Sequence, residues 1–318
     1  MKTIFVSIAS FRDTLCSRTI RSMFDMAKYP SRIFAGICEQ NDPSAKDEIC
    51  KIVEKYGSNI RKLTLHYQQA KGPTLARYYC STLYRGEDFF LQIDSHTLFV
   101  QDWDEICIEM LKSVEAQQKI QKVILSHYPS EDKRYEERPA IDAVVPHVND
   151  CYFQKDGLIA YRGAALEKPG RHPRRNGFVC AGFLFTRGSW LYDVPFDPHL
   201  DYLFMGEEIL LSIRSFTKGW NVYTPNRNIV FHTYTRSTAP KFWEQIRYDD
   251  SQSKIKAKLI LGLEKDMKLL TNPTMRASIQ RYGIGNTRSR KEFYDFLGIN
   301  VEKKSVQLPF RKEHNNKK

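Results

Sequence analysis

Asp94 and His96 close the segment Phe89-Phe90-Leu91-Gln92-Ile93-Asp94-Ser95-His96, a short apolar run that ends abruptly in a carboxylate, a hydroxyl and an imidazole. Phe89 to Ile93 has the length and composition of a buried strand. In an open α/β sheet, ligands gather outside the carboxyl ends of the strands. Two positions apart at such an end, Asp94 and His96 can turn toward one point as the chain leaves the strand. A carboxylate oxygen and an imidazole nitrogen suit Mn²⁺, with ligand oxygens completing its shell. The same residues also read as a strand followed by a polar turn, since a two-residue metal signal is weak by itself. Glu207 and Glu208 form a second acidic feature, at the start of a helix whose apolar positions are Ile209, Leu210, Ile213 and Phe216. Adjacent carboxylates there usually match the helix dipole at a surface; the flanks Leu203-Phe204-Met205 and Ile209-Leu210 point instead to a buried role. His232, after the apolar Asn228-Ile229-Val230-Phe231, reads as a packed residue unless it converges on Asp94 and His96.

The elements that must position these groups alternate. Thr3 to Ile8 reads as a strand, followed by a helix with Leu15, Thr19, Met23, Phe24 and Ala27 on one face and Asp13 as its cap. Ile33 to Cys38 is a second strand. Asp42-Pro43 starts a helix whose face is Ile49, Ile52, Val53 and Tyr56. Leu63 to Tyr67 is a third strand, Lys71-Gly72-Pro73 opens a helix from Thr74 to about Tyr84, and the strand ending at Asp94 is the fourth. A helix from Trp103 to about Gln121 and a strand at Val123 to Ser126 follow. This alternation argues for a mainly parallel sheet flanked by helices. From Pro129 to Asn176 the pattern weakens around one possible hairpin; loops of that length are often lids or binding loops. Gly177 to Phe185 reads as a strand with Gly182 in its interior, which marks either a close backbone approach to a ligand or a bulge. Short strands are expected at Trp220 to Tyr223 and Asn228 to Phe231. Beyond Pro240 the chain is helical and charged, with one helix from Lys254 to about Leu270 and a polar, disordered tail at 303–318.

The chain has 318 residues, 42% hydrophobic and 13% aromatic, enough for one large domain or two small ones. Lys+Arg of 49 against Asp+Glu of 37 leaves +12, which fits a polyanionic partner, an anionic membrane surface or a phosphate-bearing substrate. Much of the excess sits in clusters such as Arg171-His172-Pro173-Arg174-Arg175 and Arg311-Lys312, read as solvated basic surface. Basic residues interleaved with aromatics on one face, as specific nucleic-acid binding requires, are not seen. The seven cysteines are odd in number, and no two are spaced C-x-x-C, which reads as reduced thiols. The opening strand is too short for a signal-peptide core, and no apolar run approaches a membrane span. A soluble, cytoplasmic protein is expected.

Seven stretches in order carry a resemblance. They are Ile8 to Asp13, Lys71 to Arg77, Leu91 to His96 with Trp103-Asp104, Cys180 to Phe183, Phe204 to Glu208, Phe231 to Tyr234, and Pro240 to Trp243. Together the chain, roughly Phe5 to Asn300, resembles the polypeptide (hydroxyproline) N-acetylglucosaminyltransferases of glycosyltransferase family 60, relatives of the mucin-type polypeptide GalNAc-transferases. That resemblance implies a GT-A fold over 1–245, with 129–176 as an acceptor-side insertion, a helical extension over 246–302 and a basic tail at 303–318. It implies a retaining transfer of GlcNAc from UDP-GlcNAc, assisted by Mn²⁺ or Mg²⁺, to a protein hydroxyl on hydroxyproline or Ser/Thr. A different UDP-sugar, a glycan acceptor, or a non-catalytic nucleotide-sugar-binding protein are the other readings. Asp94-Ser95-His96 looks like the family's D-x-H metal motif and His232 like the distant histidine completing it. Glu207 and Glu208 resemble the acids near the reacting centre. Ser7, Ala9, Arg12, Glu39 and Arg77 fall on turns expected to hold uridine and ribose, with Ser95 beside them, and Gly182 resembles the glycine that lets the acceptor-side loop approach the sugar.

Overall fold

The structure is a computed structural model and describes residues 1–44, 55–137, 144–236, 239–264 and 271–307. The helical positions Ile49, Ile52 and Val53 and the tail beyond 307 lie outside the described residues; the helix expected over Lys254–Leu270 instead spans Ser251–Leu261 and stops there because Gly262, at φ 74°, takes a left-handed cap.

Four strands form the parallel half of an eight-stranded sheet: β1 (Ile4–Phe11), β2 (Ile33–Asn41), β3 (Ile60–His66) and β4 (Phe89–Asp94), ordered β3-β2-β1-β4. β1 is apolar at nearly every position because both its faces are covered, the condition under which parallel strands lose their alternation. Ile4, Val6 and Ile8 pack on one face with Ile20, Met23 and Phe24 of α1 (Cys16–Asp25). Phe5 packs on the other, toward Phe90 and Trp190. α2 (Pro73–Ser81) buries Ala76 and Cys80 against Cys38 of β2. Beyond Asp94 the chain turns into β5 (Thr97–Phe99) and then α3 (Trp103–Gln118). The helix stops short of Gln121 because Lys119 adopts a left-handed cap with φ 54°.

The sheet continues from β4 through Phe183–Arg187, which is antiparallel to β4 and to β6 (Val123–Ser126). Asn221–Thr224 then runs parallel to β6, and Arg174–Asn176 closes the edge. The apolar stretch from Gly177 is therefore not one long strand: the strand begins only at Phe183. The donors before it go to side chains rather than to a ladder. Gly177 and Phe178 N–H donate to Asn176 Oδ1, Val179 to Ser212 Oγ, Cys180 to Ser126 Oγ and Ala181 to Glu208 Oε1. Gly182 sits at the turn into the strand, not in its interior.

The 129–176 region holds two antiparallel pairings, Val145–His147 with Ala165–Glu167 and Cys151–Phe153 with Ile159–Tyr161. Its basic cluster is largely consumed within the fold: Arg174 pairs with Glu167, and Arg175 bonds Asn221 Oδ1 and stacks on Tyr223 and Phe296. The helices Ser251–Leu261 and Arg290–Leu297 bury Ile260, Phe293 and Leu297 in one cluster with Ile209, Leu210 and Ile213 of α4 (Glu207–Thr217). Ser305–Val306 pairs with Ile299–Asn300, so regular structure continues past residue 302. Among the described residues no helix is long and apolar enough to cross a membrane, and the six described cysteines are buried free thiols.

Candidate active site

The end of β4 delivers Asp94, and the reversal into β5 delivers His96 two residues on. Val230–His232 pairs antiparallel with β5, opposing His232 to Thr97, and Thr233 N–H donates to His96 O at 3.0 Å. A strand remote in sequence thereby sets His232 beside Asp94, with Nε2 3.1 Å from Asp94 Oδ2. The His96 and His232 rings meet edge to face, centroids 4.4 Å apart. One ligand atom from each of Asp94, His96 and His232 falls within 4.8 Å of the others.

One carboxylate and two imidazoles make a donor set suited to a divalent transition ion, and the surroundings fit that use. His96 Nδ1 lies 2.7 Å from Asp13 Oδ2, which leaves Nε2 to face the cluster. His232 Nδ1 is buried without a hydrogen-bond partner among the described residues. Arg77 Nη2 donates to Asp94 Oδ1 at 3.0 Å, its Nη1 to Ala181 O at 3.1 Å, and its Nε faces Glu207 Oε1 at 3.1 Å. Burial alone would raise the Asp94 carboxyl, but the His232 hydrogen bond and the Arg77 charge outweigh it and hold the group well below the usual carboxylate range.

Gly206, at φ 107°, turns the chain into α4 and points both glutamates inward. Burial pushes Glu207 up against the opposing pull of Arg77. Glu208 accepts from Ala181 N–H at 2.8 Å and from Tyr128 OH at 2.5 Å. Burial still raises its carboxyl to about 7. These groups line one cavity of about 440 Å³, within the usual size range of small-molecule sites. Its outer rim carries exposed aromatic rings, Phe204 against Trp243 with centroids 5.0 Å apart, and Tyr234.

Of the residues expected around a nucleotide, Ala9, Arg77, Asp94, Ser95 and Gly182 line this cavity. Ser7 and Glu39 do not sit on turns: both are buried inside strands, and Glu39 pairs with Lys62 at 3.1 Å. Arg77 lies within α2 rather than on a strand-end turn, and its charge is spent on the acids. Arg12 stacks over Tyr67 and donates to Gln245 Oε1. Ser95 turns its hydroxyl inward to Asp13 at 2.6 Å. Sequence reasoning gave Asp13 a different task and passed over Tyr128 and Arg236. The capping position of α1 falls on Leu15, without a side-chain bond; Asp13 Oδ1 still accepts Leu15 N–H at 3.0 Å at the entry to the helix, while its Oδ2 turns to His96. Its place in the Ile8–Asp13 motif was the one available signal.

Gly182 explains itself here. A Cβ at this position would lie 3.3 Å from Asp94 Oδ2 and 3.3 Å from Pro129 Cδ. Asp94 is tethered by Arg77 and His232, and Pro129 by its ring, so neither yields freely. Gly182→Ala is expected to cost under about 1 kcal/mol of stability, since its backbone is not left-handed. It should weaken Mn²⁺ binding several-fold, measured by titration calorimetry; unchanged affinity would show that Asp94 tolerates the methyl group.

The mixed sheet flanked by helices is that of a GT-A glycosyltransferase fold. Solved structures share it. GalNAc-T7 with UDP, GalNAc and Mn²⁺ matches at 12% identity and TM-score 0.59, covering 92% of this chain and 54% of that one. TarS of S. aureus matches at 11% identity and TM-score 0.50, covering 88% and 43%. The chain thus spans about half the length of these relatives, and at such identities the likeness speaks for fold alone. No curated protein matches the chain. The family model described as Glycosyltransferase (GlcNAc) matches residues 3–59 and 46–303, and the chain belongs to that family.

Proposed function

We propose that this chain is a metal-dependent, retaining glycosyltransferase that moves GlcNAc from UDP-GlcNAc to a hydroxyl acceptor, with Mn²⁺ or Mg²⁺ held by Asp94, His96 and His232. The carrying observation is the convergence of those three side chains, His232 lying 138 positions from Asp94, on a cavity that also holds Glu207 and Glu208. Family membership supports GlcNAc as the sugar. The UDP and Mn²⁺ of the GalNAc-T7 complex support a nucleotide-sugar donor and a metal.

A divalent ion at this site would neutralise negative charge developing on the departing diphosphate. The protein's own groups do the rest. Arg77 keeps Asp94 ionised and aimed. Ala9, Ser95 and Gly182 shape the floor on which the donor lies. Both Glu208 oxygens already accept hydrogen bonds, and Glu207 faces Arg77. That arrangement favours positioning of sugar or acceptor hydroxyls by Glu208 over abstraction of the acceptor proton, in keeping with retention. Glu207 holds Arg77 in place. The aromatic rim of Phe204, Trp243 and Tyr234 supports a polypeptide acceptor, on hydroxyproline or Ser/Thr, as the hydroxyproline-transferase resemblance suggests. The buried reduced thiols support the cytoplasm as its compartment.

The test is UDP release from a panel of UDP-sugars, with and without Mn²⁺, before any acceptor is added. Mn²⁺-dependent hydrolysis of UDP-GlcNAc alone is expected. Release from another UDP-sugar would move the donor. No release with UDP still bound would overturn catalysis in favour of a nucleotide-sugar-binding protein, and no UDP binding at all would overturn both.

A further inference from the structure

We propose that Asp13 is a positioning residue for the metal site: its carboxylate fixes the His96 imidazole with Nδ1 protonated, so that Nε2 presents its lone pair to the cation. The inference rests on the metal reading of Asp94, His96 and His232, and adds a residue that lies outside that ligand set.

Three features carry it. The Asp13 side chain is 1% exposed, and both its oxygens are in contact with polar groups. Leu15 N–H reaches Oδ1 at 3.0 Å. Ser95 Oγ, His96 Nδ1 and Arg236 Nη1 meet Oδ2 at 2.6, 2.7 and 3.2 Å. A carboxylate oxygen only accepts, so its 2.7 Å contact with His96 Nδ1 is satisfied when that nitrogen carries the proton; Ser95 Oγ, 2.6 Å from Oδ2 and 3.4 Å from His96 Nδ1, gives its own proton to the nearer carboxylate. A neutral imidazole donating through one nitrogen has its lone pair on the other, and Nε2 is the nitrogen left toward Asp94 and His232. Metal-bound histidines are commonly held this way, by a carboxylate on the far nitrogen that sets tautomer and ring orientation. His232 supplies the internal contrast, because its Nδ1 has no such partner among the described residues. His96 is therefore the pre-oriented imidazole of the pair.

Asp13→Asn is the informative variant. It keeps the volume, but a carboxamide carries one acceptor and one donor group where Leu15 N–H on one side and the Arg236 guanidinium on the other can only donate. Whichever way it is placed, it leaves a donor facing a donor. Two readouts separate the inference from the reading beneath it. Long-range ¹⁵N–¹H correlation spectra of the metal-free protein report the His96 tautomer directly, with a His96→Gln variant assigning the signal. Wild type is expected to show Nδ1–H, and Asp13→Asn a shifted or mixed tautomer. Mn²⁺ titration followed by electron paramagnetic resonance is expected to show about 10- to 100-fold weaker binding in Asp13→Asn, with unchanged circular dichroism. An Nε2–H tautomer in the wild type would overturn the inference, as would an unaltered His96 spectrum in a folded Asp13→Asn. Mn²⁺ affinity in Asp13→Asn within twofold of wild type would overturn it too. Wild type that shows Nδ1–H yet binds no Mn²⁺ would overturn the metal reading and, with it, the role of Asp13 in metal binding. Should Asp13→Asn not fold, Ser95→Ala and Arg236→Gln remove the competing donors singly; both are expected to retain the Nδ1–H tautomer, and loss of it in either would overturn the assignment to Asp13.

Discussion

Asp94→Asn is expected to lower Mn²⁺-dependent release of UDP at least ~1,000-fold, a loss of about 4 kcal/mol of transition-state stabilisation, while the protein stays folded. Two effects combine. The substitution removes the only carboxylate among the three converging donors, and with it the negative charge that would draw a divalent ion between two neutral imidazoles. It also releases Arg77 Nη2 from its anionic partner. The fold should survive because Arg77 keeps Ala181 O and Glu207 as partners, so no buried charge is stranded. Circular dichroism and melting checked beside kinetics separate the two outcomes. Activity near wild type in Asp94→Asn would sink the metal assignment. His232→Ala should weaken Mn²⁺ and UDP together; if both are untouched, His232 is only a packed side chain.

Much of this site was legible because it rests on local rules. The apolar run Phe89–Ile93 ends where β4 ends, and Asp94 and His96 stand where an open sheet places ligands. The apolar flanks of Glu207-Glu208 announced that the start of α4 faces inward. What stayed hidden depends on contacts across the chain. Nothing local tells that Arg77, on a helix, will be buried against Asp94, 17 positions away, and against the distant Glu207. Nor does spacing tell that Tyr128, at the edge of a weakly patterned region, will reach Glu208 80 positions on. The Gly177–Phe185 stretch misled for a related reason. Apolar composition predicts burial, and burial was right, but a strand also needs a neighbour for its backbone donors. Here Asn176, Ser126, Ser212 and Glu208 take those donors instead. Asp13 is divided in the same way: one oxygen stays at the helix entry, and the other goes to a histidine more than eighty positions away.

Arg77→Met is expected to destabilise the protein by roughly 3–5 kcal/mol in urea unfolding, the usual cost of leaving buried charge without its partner. The guanidinium is buried and faces two carboxylates, Asp94 at 3.0 Å and Glu207 at 3.1 Å. Removing it leaves two acids close together in a desolvated site, and one of them must take a proton. Burial already raises Glu207 with Arg77 pulling the other way, so loss of Arg77 raises it further. A carboxyl raised in the folded state adds stability below its unfolded value and loses it as pH climbs through the folded value. The deficit of Arg77→Met relative to wild type should therefore be smallest near pH 5 and largest near pH 8. Mn²⁺ supplies positive charge beside Asp94 and should recover part of the deficit at pH 8, more than it stabilises wild type. A deficit that does not change with pH would mean that the two acids do not share the field of Arg77. A deficit that follows pH but ignores Mn²⁺ would place the cation elsewhere.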